Sequence, residues 1–349
     1  MRPVVTAWVA PGGGARFETH VPLRFNLRRA RAQGWRGAID LVLLYGRAEL
    51  PAEVAAELAD LGVTLRDGEA VFRAHAARHA ALGRFGEFER ACFLRWLVLA
   101  DLYPGEPLLH FDGDVIFNAD PAELARRWAR RTFVLQGCPA VTALHDGAWG
   151  ERYAAELGRF AGDVDGYSAA AWTERVGWEE TARTRWAGYR DRRTISSDQD
   201  LISHLLHTGR LPQARPEDVR ADAPELVLFE NPLLLGSLVT ERPLDYRRAG
   251  GVDFLGGRQV AVWHMQTDWC RYLAKIMWRE RLGGLAGVLA GSRTVSFGAR
   301  DRETVCSDVL RKLSGGRWHD RAAVCRRFFA EGDFSAVFRA ETWWEAEVF

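Results

Sequence analysis

Leu108-Leu109-His110-Phe111-Asp112-Gly113-Asp114-Val115-Ile116-Phe117 is the stretch on which the reading of this chain turns. Apolar or near-apolar residues run straight into an acidic pair, and apolar residues follow at once. A short apolar run of this kind predicts a buried strand. In extended chain, residues i and i+2 point to one face, so the carboxylates of Asp112 and Asp114 aim at the same spot. Gly113 between them leaves room for something to approach the backbone closely. An acidic pair set between core segments has to be paired or metal-bound, because burying bare charge is costly. The spacing alone is unspecific, since Asp163/Asp165 and Asp198/Asp200 repeat it; the apolar flanks set the first pair apart.

Outward from this stretch, strand-like runs alternate with helical patterns. VVTAWVA predicts a first strand, Val4 to Ala10, followed by a helix around Leu23 to Gln33 and the strand AIDLVLLYG. PAEVAAELADLG suits a helix with Pro51 in its first turn and Gly62 at its end. EFERACFLRWLVLADLY predicts a long apolar helix, PLLHF the buried strand, and PAELARRWARR a further helix. Such alternation is the signature of an α/β domain with a mostly parallel sheet, and ligands bind beyond the carboxyl ends of such strands. Residues 145–195, rich in Trp, Gly and Arg, are expected to form loops and short helices. SSDQDLISHLLHTG predicts a capped helix, ELVLFEN and QVAVWHM late strands, and the tail from about 276 is expected to be helical. The expected division is therefore a domain over 1–275 with a helical extension over 276–349.

The chain has 349 residues and ordinary globular composition, with 47 basic against 46 acidic residues and a net charge of +1. That balance argues against nucleic acid or an anionic membrane surface as the partner. No apolar run approaches the roughly 18 residues that span a bilayer. The N-terminus competes between a short signal peptide and a first strand, and the strand reading is preferred because one positive charge precedes a very short apolar region. The five cysteines lie far apart with no CxxC, which fits a reducing cytoplasm. No phosphate-binding Walker loop, nucleophile elbow, HExxH or GxGxxG is present.

The block FLRWLVLADLYPGEPLLHFDGDVIFNADPAEL resembles the acidic-motif region of nucleotide-sugar glycosyltransferases of the GT-A fold, above all the glycogenin-like and galactosyltransferase-like groups. SDQDLIS (197–203) is similar to that family's DQ-x-L-N helix start, and the strand ending VWH to its strand ending in a metal-binding His. These elements cover roughly residues 90 to 265. The resemblance implies a GT-A, Rossmann-like sheet and a hexosyltransferase-like activity. A sugar, retained in configuration, would pass from a nucleoside diphosphate sugar, expected to be a UDP-sugar, to an acceptor the sequence does not identify. It further implies that Asp112, Asp114 and His264 hold Mn²⁺ or Mg²⁺, that Arg95, Gly113 and the two aspartates line the diphosphate, and that Asp198 and Gln199 lie beside the donor sugar. The family's Phe, Gly, Lys and Pro-Trp after the His are replaced here by Met265-Gln266-Thr267-Asp268-Trp269, so its Lys has no match unless Arg271 or Lys275 serves.

Each residue also has a plainer reading. Capping alone accounts for the acids of the 198–200 helix start, with Ser197 as the cap and Asp200 as its partner. Arg95, apolar on nearly all sides, needs an anion: a diphosphate, or an internal partner such as Glu89 or Asp101. His75/His79 and His204/His207 read as amphipathic or surface helix residues. The chief alternative activity is a haloacid-dehalogenase-type phosphatase with Asp112 as nucleophile, and a catalytically degenerate nucleotide-sugar-binding protein is the non-enzymatic one. Under the leading reading His264 must come within coordination reach of a cation held by Asp112 or Asp114, which a parallel α/β sheet permits if it returns the late strand to the same crevice.

Overall fold

The computed structural model describes residues 1–12, 17, 21–135, 138–182, 195–227, 245–265 and 321–330. In chain order these form β1 (Arg2–Ala7), α1 (Leu23–Ala32), β2 (Ile39–Leu43), α2 (Ala52–Asp60), β3 (Val63–Asp67), α3 (Glu69–Arg78) and α4 (Glu87–Leu102). β4 (Leu108–Asp112), β5 (Val115–Phe117), α5 (Pro121–Arg127), β6 (Phe133–Val134), β7 (Val141–Leu144), α6 (Ala148–Gly162), α7 (Val164–Ala182), α8 (Asp198–His207) and α9 (Pro216–Ala221) follow. Then come β8 (Leu226–Val227), β9 (Tyr246–Ala249), β10 (Val252–Leu255), β11 (Arg258–Val260), β12 (Val262–His264) and α10 (Arg321–Cys325), which continues as a π-helical turn, Arg326–Ala330. No described helix is long and apolar enough to cross a membrane.

The chain divides into two compact units. The first takes Met1–Gly14, Gly37–Asp112 and Pro121–Ala223 and holds a six-stranded sheet of order β3-β2-β1-β4-β7-β6. β1 pairs in parallel with β2 and β4, and β2 with β3, while β7 runs antiparallel to both its neighbours. The architecture is thus mixed α/β with a mostly parallel sheet flanked by helices. β2 is buried throughout and β1 and β4 in all but a terminal residue, which is why these strands read as unbroken apolar runs. β3 is an edge strand with one buried residue in five, and its sequence, VTLRD, gives no strand signal of its own. The helix that follows, α3, carries His75, in keeping with the helical reading of His75/His79.

Helix α4 is buried over Ala91–Leu99 without interruption. Against it packs α6, which corrects the expectation of loops and short helices over 145–195: α6 has 15 residues and α7 has 19. Trp149, Tyr153, Leu157 and Phe160 form the buried stripe of α6, at the helical spacing that glycines and arginines obscured. Trp149 meets Trp96 edge-on at 5.4 Å, and Phe160 meets Phe93 at 5.5 Å.

The second unit takes Ala15–Arg36, Gly113–Asp120 and Pro224–Phe349. It holds the sheet β8-β11-β10-β9 and the antiparallel pair β12-β5. The run QVAVWHM is two strands and not one, because Ala261 leaves β11 to receive the N–H groups of Asn118 and Ala119 at 3.0 and 2.9 Å. The expected boundary at 275 lies outside the described residues, as do most of the tail and the end of ELVLFEN.

Asn118 ties this unit together. Fully buried, it donates through Nδ2 to the carbonyls of Asp253 (2.9 Å) and Val260 (2.7 Å) and accepts through Oδ1 from Asp253 N–H (3.0 Å) and Arg29 (2.9 Å). Asn118→Ala takes this partner from the buried carbonyls of Asp253 and Val260 and from Asp253 N–H, at about 1–3 kcal/mol for each group left unsatisfied, while Arg29 keeps the carbonyls of Phe117 and Gly251. Urea unfolding followed by fluorescence is expected to show a loss of about 3 kcal/mol or more; a loss under about 1 kcal/mol would show that the backbone closes over the gap.

Candidate metal centre

In the first unit, β4 delivers Asp112 to the carboxyl end of the sheet, beside Thr6 of β1. Its N–H donates to Ala140 O at 2.9 Å, so the backbone is fixed there. Arg95, 4% exposed on a helix buried on all sides, points its guanidinium at two carboxylates. Nε and Nη2 donate to Asp198 Oδ2 at 3.0 and 2.7 Å, and Nη1 donates to Asp112 Oδ1. Trp96 Nε1 also donates to Asp198 Oδ2, at 2.9 Å. Burial opposes the charge on Arg95, but Asp112 and Asp198 outweigh it and raise the guanidinium above its already high value. The expected pairing with Glu89 or Asp101 is not found: Asp101 bonds to His75 instead, at 2.9 Å.

His110 lies on the same face of β4 as Asp112, two residues before it. Its Nε2 is 2.8 Å from Thr6 Oγ1 and 3.8 Å from Asp112 Oδ1. Burial, and then the charge on Arg95, push its imidazole well below the ordinary value and hold it neutral.

In the second unit, antiparallel pairing sets His264 opposite Val115. Met265 N–H donates to Asp114 O at 2.9 Å, so the ladder extends to the acidic residue itself. His264 Nε2 lies 3.4 Å from Asp114 Oδ1. Arg321 Nη2 lies 3.3 Å from Asp114 Oδ2, and its Nε donates to Met265 O at 3.0 Å. Burial works to raise the Asp114 pKa, but Arg321 and His264 outweigh it and hold the carboxyl well below the usual carboxylate range.

The chain passes from the first unit to the second between Asp112 and Gly113, so covalent continuity binds the two aspartates. Asp114 and His264, both of the second unit, offer a carboxylate oxygen and an imidazole nitrogen 3.4 Å apart, and Asp112 stands two residues before Asp114 in the chain. Two hard carboxylate oxygens and one imidazole nitrogen match the donors that Mn²⁺ accepts, and the carboxylates those that Mg²⁺ prefers. The late strand reaches this place by pairing with β5 and not by joining the parallel sheet, as the sequence had suggested.

Asp198 opens α8, where Ser197 Oγ accepts from Asp200 N–H at 3.3 Å and Asp200 Oδ2 accepts from Ser196 N–H and Oγ at 3.1 and 3.0 Å. Capping thus explains Asp200, whereas the Asp198 side chain serves Arg95 and Trp96. Gln199 is half-buried in the same turn. His75 and His204, expected on amphipathic or exposed faces, are both buried. Arg271 and Lys275 lie outside the described residues. Sequence reasoning missed His110, whose strand position was the available signal, and Arg321, for which no signal existed.

Comparison of the chain with protein-family models, with curated proteins and with solved structures finds no match.

Two outcomes are expected. Arg95→Met leaves two carboxylates without their cation and should cost about 3–5 kcal/mol, and adding Asp198→Leu should recover part of that loss. Urea titrations of the three proteins decide it, and a double variant no more stable than the single one would refute the pairing account. Second, because Asp114 ionises more readily folded than unfolded, the unfolded chain binds more protons between the lowered value and the ordinary 3.8. Its contribution to stability is complete above that ordinary value and is lost as pH falls through the window. Asp114→Asn should therefore flatten the acid limb of a stability–pH curve; an unchanged limb would contradict the assignment.

Proposed function

We propose that the protein is a metal-dependent glycosyltransferase of GT-A type, moving a sugar from a nucleoside diphosphate sugar to an acceptor. The observation that carries this reading is that His264 is brought within 3.4 Å of Asp114, two residues after Asp112 ends a strand of a mostly parallel sheet. That placement matches the ligand set implied by the resemblance of FDGD and VWH, two segments far apart in the chain.

The cation, when bound, would neutralise charge growing on the departing diphosphate. The chain's own residues have complementary tasks. Asp112 and Asp114 would supply carboxylate oxygens, Asp112 held by Arg95 and Asp114 placed by the β5–β12 ladder. Arg95 neutralises part of the acidic charge that would otherwise repel a diphosphate. Asp198, held by three N–H donors on one oxygen, cannot swing, and with Gln199 it would bound the sugar side of the site. Such positioning and electrostatics supply most of the catalysis in a transfer of this kind. UDP is the proposed donor nucleotide, on the resemblance alone.

Isothermal titration of the whole chain with UDP, GDP and dTDP, in Mn²⁺ and in EDTA, tests this. UDP binding is expected in Mn²⁺ and lost in EDTA, and Asp114→Ala should abolish it with an unchanged circular dichroism spectrum. Equal affinity for UDP in EDTA would overturn the metal assignment, and release of phosphate from monoesters without sugar transfer would favour the phosphatase.

A further inference from the structure

Arg321 stands at the head of a short helix far along the chain from the acidic pair, yet its guanidinium lies on Asp114 Oδ2 at 3.3 Å. His264 faces the other oxygen, Oδ1, at 3.4 Å. Each oxygen of this carboxylate is thus met by a different group of the same unit. A guanidinium stays charged at any physiological pH, so the contact is a standing ion pair. A divalent cation approaching Asp114 meets a positive charge a few ångströms away, and one that takes Oδ2 meets it on the very lone pairs it requires.

The segment carrying Arg321 does not depend on that contact. Val324 and Cys325 are buried. Arg248 Nη1 donates to Phe328 O at 2.8 Å, and the Arg29 guanidinium lies 5.4 Å from the Phe329 ring centroid. Val324 and Cys325 close α10, and Phe328 and Phe329 sit on the π-helical turn beyond it. The Arg321 side chain, on a long flexible stem, can leave Asp114 while the segment stays docked.

We infer that Arg321 is a tethered counter-cation: it occupies Asp114 when no divalent ion is bound, competes with that ion for the carboxylate, and so sets the affinity of the centre. The inference rests on the metal reading above and adds the residue that regulates it. It assigns to the distal segment a role in the centre that the sequence did not suggest.

The test is Mn²⁺ binding by the full chain without nucleotide, followed through the electron paramagnetic resonance signal of free Mn²⁺. Arg321→Gln is expected to bind Mn²⁺ about tenfold more tightly than the wild type, a coupling of ordinary size. Arg321→Lys, which keeps the charge, should stay within about threefold of the wild type. Asp114→Asn should abolish the gain when added to Arg321→Gln, which locates the effect at this carboxylate. Thermal melts without metal report whether Arg321→Gln stays folded; if it does not, Arg321→Met, which retains the apolar stem, replaces it. Wild type and charge-free variant binding Mn²⁺ equally, or the variant more weakly, would overturn the inference while leaving the metal reading intact. Neither protein binding Mn²⁺ would overturn both.

Discussion

A guanidinium buried in the middle of an apolar helix has to find carboxylates, and much of the first unit follows from how Arg95 does so. Moving an unpaired charge out of water costs several kcal/mol even after relaxation. Arg95 is therefore compatible with the fold only if Asp112 and Asp198 are delivered to it together. One lies at the end of β4 and the other at the start of α8. The packing of α4 against the sheet and against α8 is thus tied to the placing of the first acidic residue of the motif. Trp96 contributes a further donor to Asp198 from the adjoining helix position, so apolar packing and polar pairing fix the same geometry.

The second unit meets a corresponding constraint by different means. Its acidic residue, Asp114, is placed by a two-stranded antiparallel ladder, and the ladder is held by Asn118, whose side chain satisfies backbone groups of β10 and β11. Behind it Asp253, fully buried, accepts from Tyr246, Arg248 and Trp263. Polar networks of this kind rigidify a core when every member is satisfied, and rigidity matters where carboxylates must converge without collapsing onto each other or swinging away. Both aspartates consequently have protein cations beside them, Arg95 and Arg321. Each carboxylate is thus charge-compensated by the protein's own guanidinium groups.

How much of this was legible in the sequence depended on how local the cause was. The apolar runs of β1, β2 and β4 determined buried strands, because a strand covered on both faces has no choice but to be apolar. The spacing of Asp112 and Asp114 determined that two carboxylates share a face, because strand periodicity is two. Ser197 determined the start of α8, because capping acts within one turn. By contrast, edge strand β3 and the long helices over 148–182 were hidden: an exposed edge needs little apolar character, and in the first of those helices a stripe of large apolar residues spaced three or four apart was masked by the glycines and arginines between them.

The sequence by itself determined the class of fold and the chemical character of the centre, since periodicity and residue type are properties of neighbouring positions. Tertiary structure alone decided the partners. The sequence left Arg95 a diphosphate, Glu89 or Asp101 as its anion, and that it faces Asp198 was decided only when α8 was laid beside α4. That His264 arrives on an antiparallel strand, and that Arg321 arrives at all, depends on register and on where distant parts of the chain return. Those are set by the packing of whole elements, and no pattern within a few residues of either one encodes it.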